Sequence, residues 1–255
     1  MVAVARLRDA IDKLNPALGQ DAKEDALKKV LRTDSPNTLI NNETFHKYFT
    51  EGIDVEVRTS DGVRGEKVYI VDFNNPEQNE FLAINQFTII EGSSNKRPDI
   101  ILFINGIPLV VIELKNATDE NATVKTAFSQ LQTYKQAIPS LFTYNTLLIV
   151  SDGWDALCGT VTSDWGRFMS WKTKDGITTA DSLQSQMEVM FSGMLGHGDN
   201  KTLKELIFQD PTHANNFQFS ILMLLPRTIT ADEAIKKERL FKNKLGTNSF
   251  GLNNN

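Results

Sequence analysis

The segment that most constrains the fold of this chain is residues 97–116, RPDIILFINGIPLVVIELKN. Two apolar runs, IILFI and PLVVI, lie on either side of an Asn-Gly dipeptide, which is typical of the tight turn of a β-hairpin. Their residues belong in a protein core, yet three ionic residues interrupt them: Asp99, Glu113 and Lys115. A charge in the core is costly unless it is paired, hydrogen-bonded or bound to a metal. These three residues therefore either satisfy one another or hold something.

The register of this hairpin decides whether the two carboxylates share a face of the sheet. A two-residue turn would pair Asp99 with Ile112 and leave Glu113 on the opposite face. One extra residue, for which Ile107 is the candidate, would pair Asp99 with Glu113, with Cβ atoms about 4.5–5.5 Å apart. Both runs are apolar throughout, so hydrophobicity does not select between the registers. We predict the second register, through a three-residue turn or an equivalent bulge around residues 105–107.

Two neighbouring carboxylates repel each other unless a cation lies between them, so Asp99 opposite Glu113 predicts a metal site. Mg²⁺ suits such a site, because it binds through a few carboxylates together with waters and phosphate oxygens. Lys115 follows two residues after Glu113 on the same face of the strand, where its ammonium can position a water and stabilise charge on a phosphate. The alternative is a simple Glu113–Lys115 surface pair with Asp99 as a turn residue, which the apolar neighbours disfavour.

The rest of the chain alternates between helical and strand periodicity. Helices are predicted within residues 1–50, the third of them over 42–49 with Asn42 or Thr44 as its cap, and again over 123–138, 181–208 and 229–246. Besides the hairpin, strands are predicted over residues 53–59, 66–73, 80–90 and 146–153, with weaker ones near 156–162 and 168–173. Helices, then an antiparallel run, a helix and a further strand predict an α/β fold with a mixed sheet.

Composition limits what the chain can do alone. A net charge of −5 argues against a protein that holds a nucleic-acid backbone by itself, so a DNA partner would need a second subunit or domain. One cysteine excludes an intrachain disulfide and fits a reducing cytoplasm, and three histidines make a zinc site improbable. No apolar run reaches about 18 residues, so no membrane span is predicted. The G-x-x-x-x-G-K-[ST] phosphate loop does not occur, so no nucleotide-driven motor is predicted.

Pro98-Asp99, thirteen intervening residues and then Glu113-Leu114-Lys115 resemble the PD-(D/E)xK nuclease signature. The longer stretches AINQFTIIEG, KRPDIILFINGIPLVVIELKN and AFSQLQTYKQAIPSLFTYNTLLIVSDG are similar to the restriction (R) subunit of type I restriction–modification enzymes. The resemblance covers roughly residues 5–175. It implies a PD-(D/E)xK restriction-endonuclease-like mixed β-sheet flanked by helices. The implied organisation is a helical segment over residues 1–50, the nuclease core over 51–180, and a helical segment over 181–255 that leads toward motor domains.

The resemblance also implies roles for five residues. Asp99 and Glu113 would ligate Mg²⁺, and Lys115 would be catalytic. Gln130 and Tyr134 match the family's Q-x-x-x-Y element. Residues four apart share one face of a helix, so both side chains could point toward the strand ends and orient Lys115 or contact a DNA phosphate. Without the resemblance, these two residues fit an ordinary amphipathic helix.

Three functions follow as hypotheses. The first is the nuclease domain of a type I site-specific deoxyribonuclease, which hydrolyses double-stranded DNA with Mg²⁺; separate specificity and methyltransferase subunits recognise and methylate the site, and ATP drives motor domains outside this chain. The second is a free-standing PD-(D/E)xK repair or recombination nuclease, which the acidic charge disfavours. The third is a non-catalytic docking domain with a Glu113–Lys115 core ion pair. It gains weight because family members usually carry residues before LRDAIDKLNP, often including an acidic one near the metal.

Overall fold

The computed structural model describes residues 1–60, 62–115, 123–174 and 177–195. The helices in this part of the chain are α1 (Val4–Leu14), α2 (Gln20–Leu31), α3 (Thr38–Glu51), α4 (Val124–Ala137), α5 (Pro139–Phe142) and α6 (Gln186–Met190). The strands are β1 (Ile53–Thr59), β2 (Gly62–Val68), β3 (Phe81–Asn85), β4 (Ile89–Glu91), β5 (Ser94–Lys96), β6 (Ile100–Ile104), β7 (Ile107–Leu114), β8 (Leu147–Ser151) and β9 (Ala156–Gly159). Short 3-10 turns occupy Pro76–Gln78 and Trp165–Arg167, and a π-helical turn occupies Phe191–Leu195.

The main sheet has five strands in the order β3-β6-β7-β8-β9. Strands β7 and β8 are parallel, and the other neighbours in this sheet are antiparallel. Helices α4 and α5 lie between β7 and β8 in the chain and form the crossover that a parallel pair requires. Strands β1 and β2 form a separate two-stranded sheet, as do β4 and β5. The predicted mixed α/β sheet flanked by helices is confirmed.

The central hairpin β6–β7 divides the hydrophobic core into two clusters. Ile101, Phe103 and Val111 pack on one face with residues of α4 and α5, and this face is called the α4 face below. Ile100 and Ile112 pack on the other face with residues of α1, α2 and α3. All five side chains are fully buried, and burying a residue of this kind stabilises a fold by about 1.5–3 kcal/mol. The hairpin is therefore the centre of the fold.

The hairpin turn is a two-residue turn, since Ile104 pairs with Ile107 across Asn105 and Gly106. Asn105 has φ 51° and Gly106 has φ 78°, and two positive φ angles are characteristic of a type I′ turn. Glycine is required at 106 for a second reason. A Cβ atom there would lie 2.5 Å from the Ala3 carbonyl oxygen, where α1 approaches the turn.

A bulge at Leu109 changes the register within the hairpin. Phe103 pairs with Pro108, but the preceding Leu102 pairs with Val110, so Leu109 is the extra residue. Leu109 and Val110 are consecutive, yet both belong to the cluster opposite the α4 face. The predicted register is confirmed. Of the two ways predicted to produce it, the bulge is right and the three-residue turn is wrong. The bulge lies just beyond residues 105–107.

The loop before β8 stabilises this bulge. The Leu109 carbonyl oxygen accepts hydrogen bonds from the Thr146 backbone N–H at 2.8 Å, the Thr146 hydroxyl at 2.9 Å and the Asn145 side-chain amide at 3.1 Å. A bulge leaves a backbone group outside the strand ladder, and here that group is satisfied from a distant part of the chain.

Helix α3 begins earlier than predicted. Its N-cap is Asn37, whose side-chain oxygen accepts from the Leu39 N–H at 2.9 Å, so the predicted caps Asn42 and Thr44 are wrong. Asn42 is instead buried within the helix. Its side-chain amide lies within hydrogen-bonding distance of three backbone carbonyls in the loop before β8: Phe142, Thr143 and Asn145. The residue ties the N-terminal helices to the sheet domain.

Three predicted strands are shorter or divided in the structure, and for the first two the cause is visible. Strand β2 stops at Val68, because the Asn15 side chain exchanges hydrogen bonds of 2.8 Å with both the N–H and the carbonyl of Tyr69. The predicted strand over residues 80–90 divides into β3 and β4, which belong to different sheets, at Gln86 with φ 52°. Strand β9 ends at Gly159, and residues 168–173 contribute isolated bridges.

The C-terminal prediction is met in part. Of residues 181–208, α6 and the π-helical turn are helical, and residues 181–184 are not. Residues 196–208 and the predicted helix over 229–246 lie outside the described residues. Within the described part of the chain, no helix combines the length and hydropathy that crossing a membrane requires.

Candidate active site

The two predicted metal-binding carboxylates lie side by side at the open end of the hairpin. Ile100 pairs with Ile112, so Asp99, one residue earlier, continues the register opposite Glu113. Glu113 follows Val111 by two residues on β7 and therefore projects from the α4 face. The two carboxylates thus share a face of the sheet, as the predicted register requires.

Asp99 is held by hydrogen bonds from both neighbouring strands. Its Oδ2 atom accepts from the Leu114 backbone N–H at 2.8 Å, and its Oδ1 atom accepts from the Gln86 side-chain amide at 2.7 Å. Each carboxylate oxygen has capacity for a further partner after receiving one N–H. Asp99 is therefore oriented and still able to bind a cation.

Glu113 is buried, with 1% of its side chain exposed. Its Oε1 atom accepts from the Lys115 ammonium at 3.1 Å, whereas Oε2 has no hydrogen-bond partner among the described residues. The pKa of Glu113 is raised to about 7, first by burial and then by the negative charge of Asp99, while the hydrogen bond from Lys115 opposes both effects. A carboxylate in this setting is stabilised by an additional cation.

A chain of hydrogen bonds connects Lys115 to helix α4. The Lys115 ammonium donates to Gln130 Oε1 at 2.5 Å, and Gln130 Nε2 donates to the Tyr134 hydroxyl oxygen at 2.5 Å. The Tyr134 hydroxyl is 3.5 Å from the Arg97 carbonyl oxygen, to which it donates. Burial raises the pKa of Tyr134 to about 12, so the phenol keeps its proton at neutral pH. The chain of contacts leaves Lys115 between Glu113 and Gln130.

The structure thus brings all five predicted residues into one cluster: Asp99, Glu113, Lys115, Gln130 and Tyr134. Their catalytic and metal-binding roles stay predictions. Across the described ranges, no group of three or more His, Cys, Asp or Glu side chains is arranged to hold a metal. Two carboxylates, one with a buried unpartnered oxygen, fit an ion that completes its shell with waters and phosphate oxygens.

Histidine 46 lies away from this cluster and has a structural role. Its Nε2 atom is 3.1 Å from the Asn145 carbonyl oxygen, and burial lowers the pKa of the ring. Sequence reasoning missed Gln86, the residue whose amide contacts Asp99. The available signal was register, because Asn85 pairs with Ile100 and the next position of each strand is Gln86 opposite Asp99.

A mixed five-stranded sheet, with Asp99 and Glu113-Leu114-Lys115 at the open end of its central hairpin and a helix over that face, is a restriction-endonuclease-like fold. The chain belongs to the family of type I restriction enzyme R protein N termini, which matches residues 2–167. The family resemblance inferred from the sequence is therefore confirmed.

Relatives of the chain carry names of the same kind. It is 42% identical over 176 residues to the type I restriction enzyme HindI endonuclease subunit of Haemophilus influenzae, a match that covers 69% of this chain and 17% of that relative. It is 34% identical over 182 residues to the putative type I restriction enzyme MjaIXP endonuclease subunit of Methanocaldococcus jannaschii, with 70% and 17% covered. The EcoprrI endonuclease subunit of Escherichia coli is 31% identical over 130 residues, or 48% of this chain and 40% of that relative.

Proposed function

We propose that this chain is the nuclease part of a type I restriction enzyme and hydrolyses phosphodiester bonds of double-stranded DNA with Mg²⁺. One observation carries the proposal. A buried glutamate, Glu113, faces a second carboxylate, keeps one oxygen without a partner, and touches a lysine that α4 holds in position. A structural ion pair has no need of the second carboxylate or of the unpartnered oxygen.

Asp99 and Glu113 would hold the Mg²⁺ ion. A bound Mg²⁺ would polarise the scissile phosphate and lower the pKa of a coordinated water. The raised pKa of Glu113 supports this assignment, because a cation beside the carboxylate would restore its charged form. Asp99 would keep its orientation during binding, since the Leu114 N–H and the Gln86 amide already hold its two oxygens.

Lys115 would act on the phosphate and the attacking water. The Lys115 side chain is 20% exposed, so it connects the buried glutamate with the surface where a DNA strand would lie. There it would donate hydrogen bonds to a phosphate oxygen as negative charge develops and would orient a water for attack. Gln130 and Tyr134 would keep the ammonium in place, since Gln130 accepts from Lys115 and donates to the tyrosine hydroxyl.

Two cations beside the site, the half-buried Lys96 and the exposed Arg97, support a phosphate-bearing substrate. Lys96 and Arg97 directly precede Pro98-Asp99, and within the described residues neither forms an ion pair. Elsewhere the arginines and lysines of α1, α2, β1 and β2 are largely paired with carboxylates. With a net charge of −5, the chain would still depend on other subunits for most of its grip on DNA.

The family resemblance supports a proposal for these partners. The chain would work in the cytoplasm, in a complex with methyltransferase and specificity subunits, and motor domains beyond the matched region would use ATP. The matched region is 17% of the Haemophilus influenzae and Methanocaldococcus jannaschii relatives, which leaves most of their length for other domains.

The test replaces Lys115 with Ala in an assembled enzyme whose R subunit carries this chain. DNA cleavage should fall by at least roughly 100-fold, because the reaction loses the ammonium that would stabilise the developing charge on the phosphate, while ATP hydrolysis continues. Lys28→Ala is the matched control, since Lys28 is exposed on α2 and far from the cluster along the chain. Cleavage at the normal rate by Lys115→Ala would reject the proposal.

Two further measurements separate the other hypotheses. Cutting of plain duplex by this chain alone at physiological salt would favour a free-standing nuclease. The absence of a third metal-binding side chain among the described residues favours the docking-domain hypothesis. Crystals soaked with Mn²⁺ decide that case, because a docking domain with a Glu113–Lys115 core pair should show no ion between Asp99 and Glu113.

A further inference from the structure

Gln86, Asp99 and Glu113 occupy one row across three neighbouring strands. Asn85 pairs with Ile100, and the ladder continues for one position, where the Gln86 backbone N–H donates to the Asp99 carbonyl oxygen at 2.8 Å. On the other side of Asp99 the row continues to Glu113. Asp99 therefore has Gln86 as its neighbour on one side and Glu113 as its neighbour on the other.

The side chain of Gln86 reaches back to the carboxylate. Its Nε2 atom is 2.7 Å from Asp99 Oδ1. A carboxylate accepts and does not donate, so the amide nitrogen must be the atom that faces it. Together with the Leu114 N–H on Oδ2, this contact fixes the rotation of the Asp99 carboxylate plane. Without the amide, only the Leu114 N–H would hold the carboxylate, and the carboxylate plane could rotate about that contact.

Other contacts, not the Gln86 side chain, hold the Gln86 backbone. Gln86 has φ 52°, which is uncommon for a residue other than glycine. Its side chain is exposed, so apolar packing does not explain the conformation. The backbone hydrogen bond to Asp99 anchors one side, and Phe87 anchors the other through an edge-to-face contact with Phe103 at 5.9 Å between ring centres. The amide can therefore be removed while the backbone stays in place.

We infer that Gln86 is a positioning residue for the metal-binding carboxylate: its amide holds Asp99 in the rotation that lets Asp99 and Glu113 bind one divalent cation. The inference rests on the proposed metal site. Partners that orient a metal ligand through hydrogen bonds typically change metal affinity by 10–100-fold when they are removed. Gln86 acts through Asp99 and has no role in the reaction of its own.

The test measures Mn²⁺ binding to the purified 255-residue chain by isothermal titration calorimetry. Gln86→Met keeps the side-chain length and removes the donor. Gln86→Gly removes the donor too, but it suits the positive φ and so guards against backbone strain in the first variant. Both variants should raise the Mn²⁺ dissociation constant by about 10-fold. Their melting temperatures without metal should stay within about 2 °C of the parent chain, because the deleted contact is exposed.

Two controls make the result specific. Gln136→Met carries the same substitution at an exposed position of α4 and should leave Mn²⁺ binding unchanged. Asp99→Asn should weaken Mn²⁺ binding more than either Gln86 variant, because a positioning residue cannot contribute more than the carboxylate that it positions.

The outcomes separate this inference from the proposed function. If the parent chain binds Mn²⁺ and both Gln86 variants bind it equally well, Gln86 has no positioning role and the metal site stands. If the parent chain binds no Mn²⁺ at millimolar concentration, the metal site of the proposed function is wrong and the inference is wrong with it. A smaller loss of affinity in Asp99→Asn than in the Gln86 variants would also overturn it.

Discussion

The two ends of the β6–β7 hairpin each bury a polar side chain to the same degree, with opposite results. Asn105 at the turn and Glu113 at the open end are both 1% exposed. The Asn105 side chain donates to the Ile70 carbonyl at 2.8 Å and to Asn79 Oδ1 at 3.0 Å, and it accepts from the Glu80 N–H at 2.7 Å. Glu113 has one hydrogen-bonded oxygen and one without a partner among the described residues.

This difference in hydrogen bonding distinguishes a polar residue with a structural role from one that could bind a ligand. A buried group with all its hydrogen bonds made contributes to stability, whereas a buried group left unpaired costs the free energy of removing it from water. The turn end of the hairpin meets the first condition. The open end has a buried group left unpaired. The fold tolerates this cost, and a bound cation would remove it. Four predictions test this contrast, in decreasing order of effect.

Asn105→Ala should cause the largest change. It leaves the Ile70 carbonyl and the Glu80 N–H without their side-chain partner, and it puts alanine at φ 51°. We expect the free energy of unfolding to fall by about 3–5 kcal/mol, measured by urea denaturation. Asn95→Ala, at an exposed position in β5, should change it by less than about 0.5 kcal/mol. Equal effects at the two positions would contradict the structural role of Asn105.

The second prediction concerns pH and has the opposite sign. The pKa of Glu113 is raised to about 7 in the folded chain, so between pH 4.5 and 7 the folded state binds more protons than the unfolded state. Its stability should therefore fall as pH rises through this window. Between pH 5 and pH 8, without divalent cations, the parent chain should lose about 2–3 kcal/mol relative to Glu113→Gln.

The pH comparison has an internal control. Glu56 lies exposed on β1, so Glu56→Gln should follow the pH dependence of the parent chain closely. Urea denaturation at several pH values measures all three proteins. A constant difference between the parent chain and Glu113→Gln across the pH range would show that Glu113 titrates normally and that its burial carries no cost.

The third prediction is that a cation corrects the open end alone. Mn²⁺ at ten times its dissociation constant should stabilise the parent chain at pH 8 by about 1.4 kcal/mol. Glu113→Gln and Asp99→Asn should lose this stabilisation, whereas Asn95→Ala should keep it. Thermal unfolding with and without Mn²⁺ measures the effect. If Mn²⁺ stabilised Glu113→Gln and Asp99→Asn as much as it stabilises the parent chain, the ion would bind elsewhere.

The smallest effect is expected in the loop before β8, which contacts the bulge at Leu109. Thr146→Val removes the hydroxyl that donates to the Leu109 carbonyl, while the backbone N–H of residue 146 keeps its own bond to that oxygen. We expect a loss of about 1 kcal/mol in the free energy of unfolding. Thr133→Val, at an exposed site of α4, is the matched control. An unchanged unfolding free energy in Thr146→Val would show that the hydroxyl does not stabilise the bulge.

Several features could be predicted from local sequence. The Asn-Gly dipeptide between apolar runs indicates the hairpin, because two adjacent residues with positive φ are needed for its turn. Helix α4 follows from its periodicity and ends before Pro139, and the order of helices and strands predicts the mixed sheet. The site residues stand out since carboxylates are rare in runs of Ile, Val and Leu.

The tertiary structure decided the geometry of the site. Both faces of the hairpin are apolar, so the sequence of the strands does not determine the register. The bulge that selects it is held by Asn145 and Thr146, more than thirty residues further along the chain. Similarly, Gln86 becomes the neighbour of Asp99 only when β3 pairs with β6. The sequence by itself determined which residues carry the chemistry; their relative positions depend on hydrogen bonds between distant segments, which form only in the folded chain.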